Sequence, residues 1–179
     1  ADFADCGRFD RRKAGSRCRP AAHLLWAQDL MPAVPLSIEE QVVAMKAGWP
    51  KLVGRQIDRR RQSARWFGPV RPQYTNYTLD IRYRLGGWPE VRVAAPALVR
   101  LPGNPEGELP HVYPPANDSI LCLFDPREGE WTPDMAIADT TVPWSLDWLA
   151  CYEHWLMTDR WSGGGRHATP THSTQETPL

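Results

Sequence analysis

Eighteen prolines punctuate a chain of 179 residues, about twice the ordinary share of roughly 5%. Each proline fixes φ and removes a backbone donor, so the chain cannot run as a bundle of long helices. It has to be built from turns, strand edges and short elements. With 42% hydrophobic and 23% charged residues there is enough apolar material for a core. The length suits one domain of roughly 120–150 residues with tails. The 21 basic and 21 acidic side chains cancel, which argues against a protein that chiefly wraps nucleic acid. No apolar run approaches the roughly 18 residues of a membrane helix.

The ends separate from the middle. Residues 1–31 lack a clear periodic pattern and read as an arm, or as sequence upstream of a start near Met31. Their one apolar piece, Ala21 to Ala27, is short and interrupted by His23, too little for a signal peptide. Ser162-Gly163-Gly164-Gly165 opens a tail, 162–179, of Thr, Pro, Ser and His that cannot build a core. His167 and His172 read as solvated tail residues. The expected domain is therefore 32–161. Cys6, Cys18, Cys122 and Cys151 form no Cys-x-x-Cys pair and no Cys/His cluster with zinc spacing. The expectation is a cytoplasmic, reduced protein with neither metal nor cofactor.

Inside the domain the periods change in order. Ser37 and Glu40 have capping-box spacing, and Ile38, Val42, Met45 and Trp49 follow on one helical face that Pro50 ends or kinks. Residues 51–71 carry seven Lys/Arg against one Asp, including Arg59-Arg60-Arg61. This stretch reads as a solvated connector or as a docking surface for an acidic partner. Residues 64–99 then read as an antiparallel meander. Arg65 to Pro69 forms an early strand. From Thr78 to Leu85 apolar residues alternate strictly with Thr78, Asp80, Arg82 and Arg84. Gly86-Gly87 turns the chain, Val91, Val93 and Leu98 resume the pattern, and prolines 69, 72, 89 and 96 mark corners.

Residues 100–142, rich in Pro, Gly, Asn and Asp, read as a long loop containing the apolar run Ile120-Leu121-Cys122-Leu123-Phe124. Long ordered loops in compact domains are usually functional. Thr141-Val142-Pro143 begins a second helix, whose stripe Trp144, Trp148, Cys151, Tyr152 and Trp155 reads as core, with His154 facing solvent.

Helix, meander, loop with an embedded cysteine, helix is an order with a likeness. Trp66 with Gly68-Pro69, Tyr77 to Leu85, Pro89-Glu90-Val91, Pro96, His111, Ile120-Leu121-Cys122-Leu123 and Trp131-Thr132-Pro133 resemble the ubiquitin-conjugating enzyme (UBC) fold. In that family a histidine precedes the active cysteine by about ten residues and a Trp-x-Pro follows it. The closing stretch, Pro143-Trp144, Trp148-Leu149, Tyr152-Glu153, Trp155-Leu156 and Trp161 to Gly165, resembles the bacterial UBC-like proteins of type II CBASS anti-phage operons in their short form. The resemblance covers about residues 37–167. It implies an α+β UBC-like fold: N-terminal helix, antiparallel meander, long loop with the active cysteine, C-terminal helix.

It also implies that Cys122 carries an acyl group as a thioester and conjugates the C-terminus of a cGAS-like cyclic-oligonucleotide synthase, its partner and substrate. The family's usual His-Pro-Asn stands here as His111-Val112-Tyr113, so the amide that supports the oxyanion is not at its place. Asn117 offers an amide of the right donor type, or is simply turn chemistry with Asp118. His111 is expected to hold the loop rather than act as a base. Around Cys122, Asp118, Asp125, Glu128 and Glu130 outnumber Arg127. That surrounding suits a thioester carrier better than a hydrolase needing a depressed thiol pKa. The alternatives are a packed cysteine within a strand, a catalytically inactive UBC-like module that scaffolds the nucleotidyltransferase, and a nucleic-acid binder using Arg59, Arg60 and Arg61. The expectation is a conjugating carrier with no nucleic-acid or membrane partner.

Overall fold

A computed structural model describes residues 34–164. The expected arm, with Cys6 and Cys18, and all but the first three residues of the expected tail, with His167 and His172, lie outside the described residues. The architecture is α+β, with two α-helices and an antiparallel four-stranded sheet of order β1-β2-β3-β4.

Helix α1 (Ile38–Gly48) starts from the expected capping box. The Ser37 side chain accepts from the Glu40 N–H, and the Glu40 carboxylate takes the Ser37 N–H at 2.8 Å. Two orphan donors are thereby satisfied. The buried face is Ile38, Gln41 and Met45, with Val42 only half-buried. Gln41 enters the core because its amide pairs at both ends. Nε2 donates to the Met135 carbonyl and Oε1 accepts from the Ile137 N–H, each at 2.9 Å. Trp49 caps the helix just before Pro50 and anchors it by donating Nε1–H to the Ala138 carbonyl at 2.8 Å.

The basic stretch 51–71 is not a connector. It forms β1 (Val53–Asp58) and β2 (Ser63–Val70), paired antiparallel, with Arg59-Arg60-Arg61 at the hairpin tip. Strand β1 is exposed at every position but one, so it never needed the apolar alternation that would have revealed it. Pro69 lies inside β2 rather than at a corner. Pairing with β1 stops at Phe67, so Pro69 lies beyond it and is paired only with Thr78 of β3. Gly68 is required where it stands, because a Cβ there would come within 2.0 Å of the Lys51 carbonyl oxygen.

Strand β3 (Tyr77–Arg84) is the central element and keeps the expected alternation, with Leu79, Ile81 and Tyr83 buried and Arg82 and Arg84 exposed. Gly86, at φ 84°, makes the turn into β4 (Glu90–Ala95). Two-residue strands β5 (Val112–Tyr113) and β6 (Ile120–Leu121) pair within the long loop, and a short 3-10 helix (Pro126–Glu128) follows. Helix α2 (Thr141–Thr158) begins where expected. Its Trp148, Tyr152 and Trp155 are buried and His154 is exposed. The core gathers Trp66, Trp131, Trp148 and Trp155 with the inner face of the sheet.

Candidate functional site

The chain places Cys122 immediately after β6, at the end of the β5–β6 hairpin away from its turn. Val112 pairs with Leu121 and Tyr113 with Ile120. One step further, the Cys122 N–H donates to the His111 carbonyl at 3.0 Å. His111 adopts φ 52°, in the left-handed region that side chains other than glycine avoid. The Trp148 indole donates to the same carbonyl at 2.8 Å. The His111 ring stacks on Trp161 with centroids 4.9 Å apart. The spacing of eleven residues between His111 and Cys122 is thus the length of a short hairpin that brings the two together.

Asn117 is not brought to Cys122. It sits exposed in the turn closed by the Asp118 N–H bonding the Pro115 carbonyl at 3.1 Å, at the opposite end of the hairpin. The turn is held on β4 by Asp118, whose carboxylate meets Arg92 at 3.0 Å, and on the segment after β4 by Arg100, which donates to Ser119 Oγ at 3.0 Å. Arg59, Arg60 and Arg61 lie at the exposed tip of the β1–β2 hairpin, and of the three only Arg61 lines the groove that reaches the neighbours of Cys122. Arg59 pairs with Glu39 of α1 at 3.0 Å and Arg61 with Asp58 at 3.8 Å. Exposed pairs of this kind are weak, within about 1 kcal/mol, so they leave the tip open to exchange of partners.

The acids around Cys122 are largely engaged locally. Asp125 caps the 3-10 helix by accepting from the Arg127 N–H at 2.8 Å, and its own N–H donates to Glu130 at 2.9 Å. Tyr113 stands where the family has asparagine, and its hydroxyl lies 3.4 Å from the Phe124 carbonyl it donates to. Burial, reinforced by the Asp125 and Glu130 carboxylates, pushes this phenol up to about 12, which keeps it a neutral donor.

Cys122 itself is 9% exposed. Its sulfur is disulfide-bonded, contrary to the expectation of a reduced protein, and the chemistry open to this residue as a nucleophile is that of the reduced thiol. Cys151 is free, on α2, and burial raises its thiol pKa, consistent with a packed residue.

A groove of about 870 Å³ lies between the turn end of the sheet and the cysteine loop. Arg61, Arg65, Arg82 and Arg84 line it, together with Leu121 and Leu123, the two neighbours of Cys122. No cluster of His, Cys, Asp and Glu among the described residues has metal-binding geometry. No described helix is long and apolar enough to cross a membrane. The sequence shows Tyr113 in the asparagine's place, but not that its hydroxyl bonds the Phe124 carbonyl or that Trp148 is a donor to His111. The stripe marked Trp148 as core, but nothing local says where its N–H points.

Four antiparallel strands with a helix at either end of the chain order make an α+β protein compatible with the UBC-like fold. The family model for type II CBASS E2 proteins matches residues 41–168, and the chain belongs to that family. No curated protein matches it.

Proposed function

We propose that the protein is an acyl carrier of the ubiquitin-conjugating kind, acting in the cytoplasm through the reduced Cys122. The Cys122 thiolate attacks an activated C-terminal carboxyl of its partner, presented as an acyl adenylate or a thioester. A Cys122 thioester forms, and AMP or the donor thiol leaves. An amine then attacks that carbonyl and loses its proton, and the Cys122 thiolate is released as the amide forms. The partner is the cGAS-like cyclic-oligonucleotide synthase of a CBASS operon, and conjugation of its C-terminus serves anti-phage defence. His111 holds the cysteine loop through its carbonyl, and the Arg59-Arg60-Arg61 tip meets an acidic surface of the partner. The observation that carries this reading is the cysteine leaving a hairpin that its histidine closes, inside the span matched by the E2 family.

The test is to reduce the protein with a phosphine, incubate it with the synthase and an activating system, and record intact mass. A Cys122 thioester survives the phosphine, which removes disulfides, and is cleaved by hydroxylamine. Cys122→Ala is expected to abolish the adduct. An adduct that persists in this variant, or none in the wild type, ends the carrier reading. The burial of Cys122 and the missing His-Pro-Asn favour a second reading, an inactive module that scaffolds the synthase. On that reading Cys122→Ala leaves synthase binding and phage protection intact.

A further inference from the structure

We infer that Trp148 is a positioning residue for Cys122: its indole N–H, backed by the stacked Trp161, holds the left-handed turn at His111 whose carbonyl fixes the cysteine's backbone. This rests on Cys122 being the acyl carrier.

Two donors converge on the His111 carbonyl, the Cys122 N–H at 3.0 Å and the Trp148 Nε1–H at 2.8 Å. A carbonyl has two lone pairs and can accept both. The turn that presents it is unfavourable for histidine, with φ 52°. A conformation of that kind persists only where its surroundings over-determine it. Trp148 supplies one constraint from the middle of α2. Trp161 supplies another, stacking on the His111 ring at 4.9 Å and packing on Trp148 at 5.3 Å. Trp161 is itself tied down, its N–H donating to Glu106 at 2.5 Å. Helix α2 and the segment that follows it therefore hold the reacting residue through one shared acceptor. Trp148 is 2% exposed, so a docking partner does not touch it. Its influence falls on the chemical step rather than on binding.

Trp148→Phe removes the donor and keeps an aromatic ring against Tyr152, which Trp148 stacks on at 5.6 Å. In the reduced full chain, amide exchange of a peptide containing Cys122 is expected to rise roughly five- to tenfold, the share of one neutral hydrogen bond. A β3 peptide covering Leu79 to Tyr83 exchanges as before. With the synthase and its activating system, kcat for thioester formation falls by roughly the same factor, while KM stays unchanged. Trp161→Leu, nearer the surface, raises Cys122 exchange as well and serves if Trp148→Phe folds poorly. Unchanged exchange at Cys122 in both variants overturns the inference, as does a parallel loss in kcat and in partner affinity. A wild-type chain that forms no thioester overturns the carrier reading and the catalytic consequence with it. The exchange comparison, which needs no partner, still reports on the turn and separates the two failures.

Discussion

Asp80 shows how one residue on a solvent-facing strand position becomes buried. It alternates outward on β3, yet is 3% exposed, because Arg65 of β2 reaches it at 2.6 Å and Arg82 from its own strand at 2.6 Å. Burial alone pushes the Asp80 carboxyl up. The hydrogen bonds and charges of the two guanidiniums outweigh it, and the carboxyl ends below its ordinary 3.8. A carboxylate depressed by folding contributes stability that is fully present above its unfolded pKa and is lost as pH falls through the lower folded value. Asp80→Asn is therefore expected to lower stability by on the order of 2 kcal/mol at pH 7. The variant should lose less than the wild type on acidification below 3.8. Urea midpoints at pH 7 and pH 3 check both statements. An equal acid response in the two proteins would remove Asp80 from the account.

At the scale of elements, α1 and the cysteine-loop side of the molecule are joined by a side chain that an apolar stripe does not predict. The expected helix face of Ile38, Val42, Met45 and Trp49 is nearly right, but its buried centre is Gln41, whose amide bridges the Met135 carbonyl and the Ile137 N–H. Gln41→Leu makes the stripe more regular and leaves that buried N–H and C=O unpaired. The expected cost is about 2–3 kcal/mol, measured by urea unfolding, whereas a more stable variant would contradict it. The other elements were unequally visible. The capping box, the β3 alternation and the α2 stripe are local patterns, and all three elements form. Strand β1 is local too, but it is exposed along its length. Its evidence is pairing with β2, and the arginine run that suggested a connector is the hairpin tip. The site was legible in part. His111 and Cys122 stand at a spacing that a hairpin brings together. Asn117 shares that segment yet points from the other end of it.

Across the whole molecule, α2 is the element that other parts are fastened to. Its buried Glu153 accepts the N–H groups of Tyr74 and Thr75 at 3.1 and 2.9 Å, holding the β2–β3 loop. Tyr152 accepts the Val99 N–H at 2.7 Å after β4. Trp148 reaches His111. Burial is the largest cause raising the nearby Tyr77 phenol to about 12, and the Glu153 charge adds to it. Glu153→Ala is expected to leave the two loop N–H groups unpaired and to lower stability by about 2 kcal/mol, or roughly 6 °C in Tm for a domain of this size. Calorimetry checks this. A Tm within one degree or so of the wild type, on a scale of roughly 3 °C per kcal/mol, would mean that the loop is held by other contacts.

The sequence by itself determined what depends on neighbours a few residues apart: where both helices begin, the alternating faces of β3, the glycine turn after it, and a cysteine set in a proline-rich loop. Only the tertiary structure decided what Gln41, Glu153 and Trp148 bond to, because their partners lie 94 or 96, 78 or 79, and 37 residues away in the chain. Periodicity records which face of an element is buried. The direction of a buried donor or acceptor is set by a group on another element, and no local spacing carries it. For that reason the position of Cys122 could be read from the sequence, and the left-handed turn that holds it could not.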